Sequence, residues 1–358
     1  MTNVFEHPWL GGLFGDDEAS AIWSPERQMR HMLAFEKAWA QALGHVGIVP
    51  SDIAHAAAKA IGGFAPDLPA LRRGSARDGL PVPALIVQLK AAAGANAHAV
   101  HRGATSQDVI DTALALTLRE MSDLFTARIE RLSQGLGDLT KRFGDNALMG
   151  RTRMQAALPI AAADRIVIWQ MPLADHLRRL EQVRDRVELL QFGGAAGNRA
   201  ATGGKSFAIA EFLADALHLG NPPRSWHARR DGIAEYAGHL SLITGTLGKM
   251  GQDICLMAQQ GVDEIDLADG GGSSAMPHKQ NPILAELLVT LARFNAVQVS
   301  GIHHALVHEQ ERSGAAWSLE WMIVPQMALA TARSLEAASE LCRQIVRVGR
   351  SNDGSNHQ

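Results

Sequence analysis

Cysteine is scarce: Cys255 and Cys342 are the only two in 358 residues, so a disulfide framework or a cysteine-based zinc site is excluded. Tyrosine occurs once and alternating Val/Ile/Thr runs are rare, which argues against a substantial β-sheet. Neither sign of charge is in large excess. A formal net charge of -3 disfavours nucleic-acid binding through phosphate neutralisation. No apolar stretch of about 18 residues escapes interruption by charge or glycine, so no membrane span is expected. The opening MTNVFEHPWLGGLFGDDEAS lacks a basic segment followed by an apolar one and does not read as a signal peptide. The cytoplasm is the expected location. Walker loops, dinucleotide fingerprints and G-x-S-x-G elbows are also missing.

What is present is helical periodicity over long distances. Phe125, Ile129, Leu132, Leu136, Leu139 and Phe143 fall on one seam, and Leu240, Ile243, Leu247, Met250, Ile254 and Met257 on another. Leu173, Leu177, Leu180, Val187 and Leu190 mark a third. Such seams predict helices packed at shallow angles in a bundle. Residues 231–264 contain no proline and as one helix would span about 50 Å. Residues 66–83 hold four prolines and read as a loop, as do 200–205, with a Gly-Gly pair, and 270–272. The expected fold class is all-α: a small N-terminal helical domain over 1–96, a long-helix bundle over 97–350 and a polar tail over 351–358.

Four segments carry chemistry. GGGSSAMPHKQNP, residues 270–282, joins flexible glycines to two serines, a lysine and an asparagine ahead of a proline-started helix. Its glycines alone would suit a plain linker, but the whole string suits a loop that closes over a ligand. In HRGATSQDVIDT, residues 101–112, Thr105, Ser106 and Gln107 present donors just before a helix. Such a place receives a carboxylate or simply caps the helix. GRTRMQAALP, residues 150–159, and HEQERSGAAWSLEWMIVPQ, from His308, complete the set. His304 and His308 are four apart beside Glu309, but this is not H-E-x-x-H and no third ligand is indicated, so no metal site is expected.

GSSAMPHKQNP resembles the G-S-S-x-M-P-x-K-x-N signature of the fumarase/aspartase superfamily, and HRGATSQDVIDT resembles its H-x-G-A-T-S-x-D-x-x-D-T segment. The resemblance implies that Ser273 exchanges a proton alpha to a carboxylate while Lys279 and Asn281 hold that carboxylate. It places His101, Thr105, Ser106 and Gln107 at the substrate, with Thr152 and Gln155 from the third segment and Arg312 and Trp317 from the fourth. It also implies no cofactor, a small polycarboxylate substrate and a homotetramer whose active sites are shared between subunits. Members usually continue into a further helical domain, which is expected to be missing or vestigial here.

One departure directs the choice of reaction. Arg153 stands where many members have the histidine that serves acid–base chemistry. An amine or hydroxide leaving group needs a proton donor. A carboxylate, with a conjugate acid of pKa about 4, needs a cation, and a guanidinium pairs with it bidentately. Arg153 is therefore expected to be catalytic together with Ser273. The pattern is similar to the branch that lactonises 3-carboxy-cis,cis-muconate. Trp317, Trp321 and Gln326 replace the Ser, Arg and Asp of the adenylosuccinate-lyase pattern, which disfavours a nucleotide phosphate. Two alternatives remain open: an adenylosuccinate-lyase-like elimination releasing fumarate, and a non-catalytic crystallin-like protein.

Overall fold

The computed structural model describes residues 3–268, 271 and 281–351. Most of the expected closing loop, including Ser273 and Lys279, and most of the expected polar tail lie outside the described residues.

The fold is all-α. The N-terminal part carries α1 (Gly11–Phe14), α2 (Asp17–Ile22), α3 (Pro25–His45), α4 (Ser51–Gly62), α5 (Leu68–Asp78) and α6 (Val82–Ala93). The long α7 (Ser106–Phe143) leads into a hairpin of β1 (Ala147–Thr152) and β2 (Gln155–Ala161), followed by α8 (Ala162–Val187) and α9 (Ser206–Leu217). Then come α10 (Asp231–Met257), β3 (Ile265–Leu267), α11 (Ile283–Ala305), α12 (Ala315–Gln344) and β4 (Ile345–Val348).

Contacts fix the direction of each long helix. Gln170 of α8 bonds the Ser133 carbonyl, whereas Arg184 pairs with Asp123, so α7 and α8 are antiparallel. Trp169 reaches Asp253, and Arg186 reaches Glu235, so α10 reverses again. A Cβ on Gly251 would lie 2.5 Å from the Ala285 carbonyl oxygen, and one on Gly248 would lie 2.5 Å from Ala292. Glycine at those positions lets α10 and α11 approach closely, again antiparallel. α12 runs parallel to α7, with Trp317 against Asp111 at one end and Arg128 on the Ala332 carbonyl further along. The seams read from sequence form the bundle core: Phe125, Ile129 and Leu132 of α7, Leu173 and Leu180 of α8, and Leu240 to Met257 of α10 are buried. A second buried cluster gathers Phe35, Trp39 and Leu43 of α3 with Leu85 and Leu89 of α6, and a later segment, α9, adds Ile209 and Leu213 to it.

Several sequence expectations are corrected. Residues 66–83 are not one loop. Asp67 accepts from the Ala70 N–H at 3.1 Å as an N-cap, and Pro69 sits in the first turn of α5, where a missing N–H costs nothing. Pro83 opens α6 in the same way. The 231–264 segment stops being helical at Met257, because β3 pairs with β4 just beyond. Residues 200–205 form a short 3-10 turn, and 150–159 form most of a β-hairpin. α11 is long and apolar enough to cross a membrane by length and composition, since Glu286 and Arg293 are its only acidic or basic residues besides histidine. It packs instead between α10 and α12.

Candidate active site

The first turns of α7 form the centre of a buried polar network. Asp108, fully buried, accepts from the Thr105 N–H at 3.0 Å, reaching back to the residue that caps its helix. It also accepts from the N–H groups of Gly193 and Gly194 at 2.8 and 3.0 Å, and its Oδ1 lies 2.9 Å from His227 Nε2. One turn on, Asp111 accepts from Gln107 and Gln191 at 3.1 and 3.2 Å, from Trp317 Nε1 at 2.9 Å, and from Arg230 at 2.7 Å. Arg230 also donates to Glu320 at 2.9 Å and stacks over Trp226. Burial works against the charge on Arg230, but Asp111 and Glu320 outweigh it and hold the guanidinium protonated above its ordinary value. The triad Asp111–Arg230–Glu320 thus ties together the starts of α7, α10 and α12.

This network determines what the nearby expected substrate ligands have free. Gln107 is buried and its amide is used within the protein. The NH2 group donates to Asp111 and to the His227 carbonyl at 2.9 Å, and Oε1 accepts from Arg312 Nε at 3.0 Å. Arg312 is exposed and donates once more, to the Ala195 carbonyl at 3.3 Å. Thr105 and Ser106 are half-buried at the helix N-terminus, and Trp317 is buried against Trp321 in an edge-on pair. His101 lies just upstream at a positive φ of 57°, with Nδ1 2.5 Å from the buried carboxylate of Glu36.

The other expected residues sit at the opposite end of the bundle. Arg153 and Met154 form the two-residue tip between the paired residues Thr152 and Gln155, both with positive φ, 49° and 66°. Such tips favour Asn-Gly or Gly-Gly, and each non-glycine residue held there costs on the order of 1 kcal/mol. The four residues are exposed, and the Arg153 guanidinium has no hydrogen-bond or ion-pair partner among the described residues. An Arg151–Glu264 ion pair at 2.9 Å and backbone bonds between Ala147 and Arg350 dock the hairpin beside β3 and β4. Asn281 is at this end too, exchanging both backbone hydrogen bonds with Gly271 at 2.9 and 3.0 Å ahead of α11.

The 38 residues of α7 measure about 57 Å, and the seven residue steps from Asn146, beside the end of α7, to Arg153 reach at most about 24 Å, so Arg153 and Thr105 of one chain lie at least about 30 Å apart. One chain brings together His101, Thr105, Ser106, Gln107, Arg312 and Trp317, but not these with Thr152, Arg153, Gln155 or Asn281. Sequence reasoning missed Glu36, Gln191 and His227. It also gave no role to Asp108, Asp111, Arg230 or Glu320, although two acids three apart in a helix-starting motif signal a charged network.

Comparison with known proteins decides the family. A family model described as Lyase matches residues 14–301. The chain belongs to the fumarase/aspartase superfamily. Among superfamily relatives, 3-carboxy-cis,cis-muconate cycloisomerase of Pseudomonas aeruginosa is 36% identical over 345 residues, covering 94% of this chain and 75% of the relative. N-acetyl-S-(2-succino)cysteine lyase of Enterococcus italicus is 32% identical, over 91% of this chain and 72% of the relative. The crystal structure of 3-carboxy-cis,cis-muconate lactonizing enzyme from Pseudomonas putida superposes with a TM-score of 0.88 at 33% identity, covering 95% of this chain and 77% of that one.

Proposed function

We propose that this protein is a cytoplasmic cycloisomerase that converts 3-carboxy-cis,cis-muconate to 4-carboxymuconolactone. The observation that carries the reading is Arg153: a guanidinium without a partner among the described residues, on a strained hairpin tip, in a chain whose relatives include several muconate cycloisomerases. In the lactonising direction a carboxylate oxygen of the diene triacid bonds to an alkene carbon. The electron pair moves to the carbon alpha to the neighbouring carboxylate, and that carbanion takes a proton. No atom is lost. Arg153 holds the attacking carboxylate, Lys279 and Asn281 hold the carboxylate on which negative charge accumulates, and Ser273 delivers the proton. Thr105, Ser106 and Arg312 serve the remaining carboxylate at the α7 end, with Thr152 and Gln155 beside Arg153.

Because Arg153 and Asn281 lie at the opposite end of one chain from Thr105, Ser106 and Arg312, an assembled site draws its segments from different subunits of a homotetramer. The surface supports this. Met154 and Leu158 of the hairpin, Ile168 and Met171 of α8, Leu242 of α10 and Val297 of α11 are exposed. Only 28% of the most apolar stretch of α11 is buried within one chain. Exposed apolar side chains along these elements suit burial against a partner.

The test is ultraviolet monitoring of purified protein with 3-carboxymuconate, since loss of the conjugated diene reports lactonisation. Fumarate release from adenylosuccinate or a succinylated thiol, without diene loss, would replace this reading with an eliminating lyase. A fully active monomer in sedimentation would remove the shared site.

A further inference from the structure

Glu36 is a charged group in an apolar core. It is fully buried on α3, its Oε1 lies 2.5 Å from His101 Nδ1, and its Oε2 has no hydrogen-bond partner among the described residues. A carboxylate taken out of water with one partner is costly, and an apolar residue there would avoid the cost. Fastening the 100–104 loop does not require it. Trp39, next to Glu36 on the same helix face, already donates Nε1 to the Arg102 carbonyl at 3.2 Å, and Val100 is buried. Trp39 is itself fixed between Phe35 and Phe192. The loop is further set by Gly103, whose φ of 84° and close approach to Ala201 exclude a side chain.

What Glu36 does beyond fastening is to select one edge of the His101 ring. With Nδ1–H donated inward, Nε2 is the nitrogen turned away from the core. The His101 side chain keeps 15% of its surface, and Nε2 has no partner among the described residues. Thr105 and Ser106, at the positive end of α7, follow within five residues.

We propose that Glu36 is a positioning residue. It accepts Nδ1–H, balances an imidazolium at His101, and so presents Nε2–H to a substrate carboxylate beside the α7 N-terminus. A carboxylate partner of this kind fixes both the ring orientation and the protonated nitrogen of a histidine. The inference rests on the reading of the α7 end as a carboxylate-binding region. It adds a residue that no motif contains.

The experiment compares wild type, Glu36→Gln, Glu36→Asp, His101→Gln and the Glu36→Gln/His101→Gln double variant on 3-carboxymuconate, with thermal melts in parallel. Nitrogen-15 NMR of the histidine rings, run without substrate, reports which nitrogens of His101 carry protons. Glu36→Gln should raise KM about tenfold with kcat changed less than about threefold, because a charge-assisted contact becomes an ordinary one. The ring should show two protonated nitrogens in wild type and one in Glu36→Gln. Glu36→Asp, which keeps the charge, should recover part of the KM effect even where it melts lower. In the His101→Gln background, Glu36→Gln should add nothing to KM. The proposal is overturned if Glu36→Gln leaves the His101 ring unchanged, or if its KM effect persists without His101. If the wild type consumes no muconate, the proposed reaction fails, and the NMR comparison alone decides whether Glu36 sets the ring.

Discussion

At the end of the bundle where α7 begins, charge is buried and paired. Asp108 has four donors around it, Asp111 is held by Arg230, Trp317 and two glutamines, and Glu320 closes the triad. At the end where α7 finishes, Arg153 stands exposed on a hairpin whose backbone is strained and whose apolar neighbours Met154 and Leu158 face outward. The first end is organised by its own chain. The second is left exposed by its own chain. On the proposed shared site, one polypeptide would contribute a rigid floor to one site and a reaching arm to another. The difference also makes the ends respond differently to substitution.

The largest effect is expected at the floor. Arg230→Met leaves Asp111 and Glu320 buried without their cation, which should cost about 3–5 kcal/mol of stability, read as the shift in a urea unfolding midpoint. A loss under about 1 kcal/mol would mean that the triad opens to water. At the arm the effect should be on rate instead. Arg153→Lys keeps the charge but loses the planar two-point contact, so kcat/KM on 3-carboxymuconate should fall roughly 30- to 1000-fold, equivalent to about 2–4 kcal/mol. Melting should shift little, since the side chain is exposed. Arg153→His should not restore turnover. If it is as active as the parent, Arg153 is not a carboxylate holder and a proton-transfer mechanism is the better one.

Co-expression sharpens the comparison further. Arg153→Ala and Arg312→Ala should each be nearly inactive alone. If the two ends meet only across subunits, random mixed tetramers should recover about a quarter of the sites, because each intact site needs one good arm and one good floor from different chains. No recovery above the separately expressed variants would place both groups within a single chain.

Much of this arrangement was legible. The seam from Phe125 to Leu139 and that from Leu240 to Met257 specify buried helix faces, and they are buried. The strings of specific residue types around Thr105, Arg153 and Asn281 made the family legible, while the roles of those residues belong to the proposed function. Prolines misled at 66–83, since Pro69 and Pro83 start helices rather than break them. The hairpin was hidden because its tip, Arg153-Met154, lacks the glycine or asparagine that marks a two-residue turn. Glu36 was hidden for a different reason. Its partner is 65 positions away, and nothing local distinguishes a buried acid on an amphipathic helix from a solvated one.

The smallest effect is expected between the two ends, where the bundle buries two histidines. His176 on α8 and His239 on α10 have ring centroids 5.5 Å apart. His176 Nε2 meets the Thr246 hydroxyl at 2.8 Å, while neither ring nitrogen of His239 makes a well-formed hydrogen bond among the described residues. Burial pushes both down to about 4; Arg179 adds to this at His176 against Asp175, and at His239 the His176 ring and Arg179 add to it against the His176 backbone and Glu235. Unfolded, each would titrate near 6.5. As pH falls below that value the unfolded chain takes up protons that the folded chain refuses, so stability present above pH 6.5 is lost progressively toward pH 4. The melting temperature should therefore decline across that window. His239→Leu removes one of the two groups and fills the same space without a proton site, so its decline should be shallower by a few degrees while Arg153- and Arg312-dependent activity at neutral pH is unchanged. Carboxylates elsewhere titrate alike in both proteins, so the comparison isolates the histidine. An acid limb as steep in His239→Leu as in the parent would mean that His239 is not held neutral by burial, and that acid lability originates in the ion pairs at the two ends.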